Sequence, residues 1–222
     1  MRFLPVLWTD MKPKNFVTRI LAWIFGRRDR ENVPVEELTP ELAPTFLPGP
    51  CGYSLGLGHY SERTFHRRTQ MGTLIHLMKY HRSQEAADRL AAFLAAYLTD
   101  HHLPRRPDLI VTVPDSVPNR PFSPVGYIAD RLAGEFAWTP RHDIIVRARL
   151  EKPQKDRSFE ERLQDTRPRY ALRHPEAVRG RNVLLFDDIF ATGKSLIEAA
   201  GLIREHDPAF LMALTLVKLG RP

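Results

Sequence analysis

From residue 84 onward, short apolar runs alternate with longer amphipathic ones, and this pattern restricts the fold more than any other feature. "DLIVTVP" (108–114), "DIIVR" (143–147), "NVLLF" (182–186) and "FLMALTLVKL" (210–219) have the length and apolar character of buried strands. Between them, Leu90, Phe93, Leu94, Tyr97 and Leu98 mark a helix over 84–99, and Val125, Ile128, Leu132 and Phe136 line one face of a helix over 124–137. "SLIEAAGLIRE" (195–205) gives a third helix. Such alternation predicts an α/β fold, a mostly parallel central sheet with helices on both faces. Residues 148–168 interrupt it. A polar stretch of that length inside a compact domain reads as a functional lid or a disordered segment.

The first fifty residues differ in kind. Phe16, Ile20, Trp23 and Ile24 share one face of a short helix ringed by basic residues, which suits either a partner-binding or interfacial helix or one docked on its own domain. Residues 33–50 carry five prolines and read as an extended linker or a strap lying on the surface. The expected division is 1–50, amphipathic helix and proline-rich linker, and 51–222, the main domain. The lone cysteine, Cys51, excludes an intrachain disulfide framework and a Cys-rich zinc ribbon, so a reducing, cytoplasmic setting is expected. No apolar run reaches the roughly 18 residues needed to span a bilayer. A formal charge of +7 favours polyanionic or phosphorylated partners.

"VLLFDDIFATGKS" (183–195) carries the chemistry. Its Gly-Lys-Ser ending suggests a nucleotide P-loop, yet Asp188 stands where that loop requires its first glycine, which argues against a triphosphate cradle. A strand ending at 186 followed by a turn and a helix near Ser195 presents successive amide N–H groups to an anion. Thr192 and Ser195 add hydroxyls, and Gly193 allows close backbone approach. Asp187 and Asp188 are acceptors for neutral hydroxyls. Carboxylates for hydroxyls beside an anion nest describe a site for a sugar phosphate. His101-His102 read as a solvated loop, and Trp138 as a helix-end packing residue.

This segment closely resembles the phosphoribosyl-pyrophosphate (PRPP) signature of type I phosphoribosyltransferases. The resemblance makes Asp187 and Asp188 the catalytic pair that holds the ribose hydroxyls, and Ala191, Thr192, Gly193, Lys194 and Ser195 the 5-phosphate loop. A second stretch, with Gln154, Arg162, Asp165 and Tyr170 at offsets 0, 8, 11 and 16, is similar to the "Q…R…N…F" segment of the ComF branch, competence-associated phosphoribosyltransferase-like proteins. "GTLIHLMKY" (72–80) and "LIVTVP" resemble other stretches of that branch. By the same resemblance Pro114, Asp115 and Ser116 fall in the pyrophosphate loop, with Lys79 and Arg120 as cationic helpers. Residues 148–168 match a hood that includes Arg149, Gln154 and Arg162. Mg²⁺ would be held through PRPP itself, with no direct protein ligand. The implied function is phosphoribosyl transfer with release of pyrophosphate, or use of PRPP or a related ribose phosphate as a ligand in DNA uptake or processing. The alternative is a non-catalytic regulator on the same fold that binds single-stranded DNA, or a protein partner through residues 16–25. Several positions depart from the branch: the zinc ribbon is missing, "RPFSP" (120–124) replaces "RGFNQ", and Asp165 stands for Asn. Ala191 occupies the position of the base-facing aspartate in hypoxanthine-type enzymes and transfers no proton, which disfavours 6-oxopurine salvage.

Overall fold

The computed structural model of the chain describes residues 34–38, 40, 43–49, 51–62, 68–115, 122–148 and 168–219. The amphipathic segment 16–25 therefore lies outside the described residues, as do Ser116, Arg120, Arg149, Gln154, Arg162 and Asp165.

The elements in chain order are β1 (Thr45–Phe46), β2 (Tyr53–His59), α1 (Gln70–Tyr80), α2 (Gln84–Asp100), β3 (Leu109–Thr112), α3 (Pro124–Phe136), β4 (Thr139–Arg141), β5 (Ile145–Arg147), β6 (Tyr170–Leu172), β7 (Asn182–Phe190), α4 (Lys194–Arg204) and β8 (Phe210–Lys218). Six strands form one sheet in the order β1-β2-β8-β7-β3-β4, with every pairing parallel except β1 to β2. The expected α/β class is the observed one. The helices α1 to α3 start where side chains can take up their free amides: Thr69 accepts from the Gly72 amide at 2.9 Å, Ser83 from Ala86 at 3.1 Å, and Ser123 from Gly126 at 3.2 Å with Pro124 opening α3.

Strand residues alternate between two apolar layers, as the two-residue period requires. Leu184, Phe186 and Leu214 face a core shared with Leu74, Leu90, Leu94, Ile128 and Leu132 of α1, α2 and α3. Val183, Leu185 and Ala213 face the opposite core, formed with Leu196, Ala199 and Ile203 of α4 and with Ile145 and Tyr170. Helices therefore cover both faces. Gly72 makes the α1 side possible, because a Cβ there would stand 2.0 Å from the Tyr60 carbonyl oxygen. Trp138 is buried and stacks on Phe136 just past α3, as expected of a packing residue, and His101 and His102 are exposed.

Three expectations need correction. The apolar run 143–147 forms no part of the central sheet; β5 pairs antiparallel with β6 in a separate two-stranded ribbon, and Thr139–Arg141 takes the sheet edge beside β3. The strand expected to end at residue 186 runs on to Phe190, because β8 continues beside it as far as Phe190↔Lys218. The helix after it begins at Lys194, one residue early.

The proline-rich segment is a strap rather than a free linker. β1 extends the sheet at β2, Leu38 is buried in the core, and the Arg89 guanidinium of α2 donates to the Leu38 carbonyl at 2.6 and 3.1 Å.

Candidate functional site

The site is set by where the sheet parts. The β3–α3–β4 connection leaves toward one edge, while β7–α4–β8 leaves toward the other. Such a switch point opens a crevice at the carboxyl ends of the strands. The last β3–β7 bond runs from the Val113 amide to the Phe186 carbonyl at 3.0 Å, and β7 continues past it with β8 alone. The next amide on that side, Asp188, is taken by the Asp187 carboxylate at 2.8 Å. A side chain thus replaces the missing strand.

Strand alternation sends the two acids to opposite faces. Asp188, buried, turns toward α1, where Lys79 in the last turn places its ammonium 3.0 Å from Oδ1 and 2.8 Å from Oδ2. Burial works against the Lys79 charge, but the Asp188 carboxylate outweighs it and holds the ammonium above its ordinary range. Asp187, half-buried, faces the α4 side. Burial first, and then the neighbouring Asp188 charge, pushes its carboxyl well above the usual carboxylate range, with Asp115 adding to the effect.

Beyond Phe190 the chain turns through Ala191, Thr192 and Gly193 into α4. Gly193 has φ +77°, and a Cβ there would meet the Phe190 ring at 2.6 Å, so only glycine fits. No side chain caps α4, which leaves its first amides directed at the turn. Ala191, Thr192 and Lys194 are exposed, and Ser195 is half-buried. The arrangement combines an uncapped helix start, hydroxyls at Thr192 and Ser195, and a carboxylate at Asp187. It can take up an anion and hydroxyl groups side by side.

The structure thus brings together Lys79, Asp115, Asp187, Asp188 and the Ala191–Ser195 loop. Pro114 and Asp115 lie just past the end of β3, half-buried. Two neighbours, Arg147 and Tyr170, have no site role assigned from the sequence. Arg147, at the end of β5, donates from Nε to the Asp115 carbonyl at 2.9 Å, and its guanidinium lies 5.9 Å from the Tyr170 ring centre. Tyr170, at the start of β6, is buried beside Ser195 and Asp187. Tyr170 has a signal in sequence, its fixed offset from Gln154, whereas Arg147 has only its position beside the polar stretch 148–168. Among the described residues no group of three or more His, Cys, Asp or Glu is placed to hold a metal ion, and no helix is long and apolar enough to cross a membrane.

Among solved structures, the chain is similar to adenine phosphoribosyltransferase from Leishmania tarentolae, at 15% identity over 78% of this chain and 94% of that one with a TM-score of 0.41. It is also similar to the enzyme from Leishmania donovani, at 14% identity over 86% and 81% with a TM-score of 0.41. Similarity extends to an allosteric regulatory enzyme of purine biosynthesis, at 15% identity and a TM-score of 0.41 over 59% of this chain, which spans only 26% of that one. No curated protein matches the sequence. The model of the phosphoribosyl transferase domain matches residues 77–221, well over half of the chain and all of the site just described. The chain belongs to the phosphoribosyl transferase domain family.

Proposed function

We propose that the chain binds PRPP in the crevice between β3 and β7, with the 5-phosphate on Ala191–Ser195 and the ribose hydroxyls at the Asp187-Asp188 pair. The observation that carries this reading is the juxtaposition of the uncapped α4 start with Asp187 at the open edge of β7. A phosphate accepts hydrogen bonds from the free amides and from the Thr192 and Ser195 hydroxyls, while sugar hydroxyls donate to carboxylate oxygen. Asp188 enters this scheme already paired, so a ribose hydroxyl reaches it by sharing its oxygens with Lys79.

Mg²⁺ bound with PRPP would supply charge neutralisation of the pyrophosphate group. The pair fits that role mainly through the ligand, because one of its acids is already engaged by an ammonium and the oxygens of PRPP are the better-placed donors. The residues of this chain hold the sugar and orient its C1. In transfer, the bond from C1 to pyrophosphate breaks as a nitrogen nucleophile approaches, and a site of this kind works by positioning and electrostatic stabilisation. Calorimetry with PRPP and Mg²⁺ on the wild type and on Asp187→Asn/Asp188→Asn tests the site; equal affinity in the two proteins overturns it. Pyrophosphate release with a panel of bases tests transfer.

The ComF-type setting, in which PRPP or a related ribose phosphate serves DNA uptake or processing, rests on the residues at 154–170 and on the charge of +7. It predicts binding to single-stranded DNA that weakens steeply between about 50 and 200 mM salt. A flat or absent response removes it.

A further inference from the structure

One rung of the β5–β6 ribbon is tied to both sides of the crevice. Arg147 and Tyr170 stand directly opposite each other in that antiparallel pair, with the Arg147 guanidinium 5.9 Å from the centre of the Tyr170 ring. On the Tyr170 side, one carboxylate oxygen of Glu198 in α4 accepts from two successive backbone amides, Arg169 at 2.5 Å and Tyr170 at 3.0 Å. On the Arg147 side, Nε donates to the Asp115 carbonyl at 2.9 Å, just past the end of β3. A two-stranded ribbon is marginal alone and needs a surface to pack on. Buried Ile145 and Tyr170 provide that packing. Packing by itself requires no polar tie at either end, and here the two ties run to the two loops of the site.

We propose that this rung is a strut that sets the separation of two anion subsites, with Arg147 and Glu198 as its positioning residues. The inference rests on the PRPP reading above. PRPP carries its 5-phosphate and its pyrophosphate on one sugar ring, so a site that takes both must hold two anion cradles at one fixed spacing. The 5-phosphate cradle lies at the start of α4, and Glu198 fixes the first turns of that helix to Tyr170. The pyrophosphate side begins at Asp115. Because a peptide unit is planar, the bond from Arg147 to the Asp115 carbonyl fixes the direction in which the chain leaves β3. Within the central sheet, the last tie between β3 and β7 is the bond from the Val113 amide to the Phe186 carbonyl. Past it, the rung supplies a second connection between the two sides of the crevice. Spacing matters most to a ligand that spans it: the covalent link makes the second contact intramolecular, and a misplaced cradle forfeits that advantage.

Calorimetric titrations in Mg²⁺ compare PRPP with two one-ended probes, ribose 5-phosphate and pyrophosphate, on the wild type, Arg147→Met, Glu198→Ala and the double variant. Each single variant should weaken PRPP binding by about tenfold, the lower end of what a hydrogen bond to a charged group contributes. Both one-ended probes should stay within about twofold, which also shows that the variants are folded. The double variant should bind PRPP within about twofold of the weaker single, because a strut cut at one end no longer acts from the other. Conservative variants separate positioning from direct contact with the ligand. Arg147→Gln places an N–H donor where Nε stands and removes the charge, and Glu198→Gln keeps an acceptor for the two amides. Both should bind PRPP within about threefold of the wild type. Unchanged PRPP affinity in either single variant, a one-ended probe that falls as far as PRPP, fully additive losses in the double, or Arg147→Gln as weak as Arg147→Met each overturn the strut and leave the PRPP site in place. Absence of PRPP binding in the wild type removes the PRPP reading itself, and the strut with it.

Discussion

Replacing Lys79 by Met tests the most buried electrostatic element of the site. The Asp188 side chain is 4% exposed and that of Lys79 19%, and the ammonium lies within 3.0 Å of both carboxylate oxygens. At an effective dielectric near 20 their attraction is about 5 kcal/mol, much of which offsets desolvation. Truncating one partner leaves the other charge uncompensated, at a cost of about 3–5 kcal/mol. The residual exposure of Lys79 favours the lower end. In a chain of this size about 3 kcal/mol lowers Tm by about 6–12 °C. Thermal and urea melts of Lys79→Met, Asp188→Asn and the double variant should show most of that loss recovered in the double, where no buried charge is left unpaired. The pH dependence is a second check. Because Lys79 is raised in the folded state, its contribution is complete below the ordinary lysine value of 10.5 and is lost as pH climbs beyond it. Lys79→Met should lack that alkaline loss. A Tm within about 2 °C of the wild type, or a double variant no more stable than Lys79→Met, refutes the pair as a structural element.

Asp187→Asn should stabilise the unliganded protein at neutral pH while weakening PRPP binding. The folded state binds a proton at Asp187 more tightly than the unfolded state, so wild-type stability falls as pH rises from the ordinary value of 3.8 through the raised one. The variant should flatten that fall in melts taken across the acid range. Gly193→Ala should cost about 1–3 kcal/mol, from positive φ and collision with the Phe190 ring, with PRPP affinity lost in parallel by calorimetry. Gly72→Ala should be more damaging to the fold, because the obstructing atom is the Tyr60 backbone oxygen and no side chain can move aside. Expression yield and Tm together should rank Gly72→Ala below Gly193→Ala.

What was legible in sequence follows the range of the forces involved. β7, the turn and α4 are specified by neighbours: an apolar run, two acids, Gly193 and an amphipathic helix within about twenty residues. β2 escaped because "YSLGLGH" breaks its apolar pattern with two glycines, and the reason for Gly56 is tertiary. A Cβ there would crowd Leu47 and Thr215 at 3.3 Å. β4 escaped because Pro140 speaks against a strand, although the sheet edge tolerates it. The run at 143–147 has strand character, but nothing local tells it to pair with β6 in preference to the main sheet. Lys79 was named through resemblance. Its contact with Asp188 spans 109 positions, which no local pattern records. Tyr170 was visible as an aromatic at a fixed offset, and the bond from its amide to the Glu198 carboxylate of α4 exists only once β6 docks on that helix.

The one-sided support of β7 has a consequence for biosynthesis. From Asp187 to Phe190 that strand leans on β8 alone, and β8 follows it in the chain. The ribosome therefore delivers residues 187–195 before the segment that gives them shape. A nascent chain halted just past Ser195 carries every letter of the loop and no site. On the proposed reading, capture of PRPP would be a late event in synthesis, following the pairing of Phe210–Lys218 with β7.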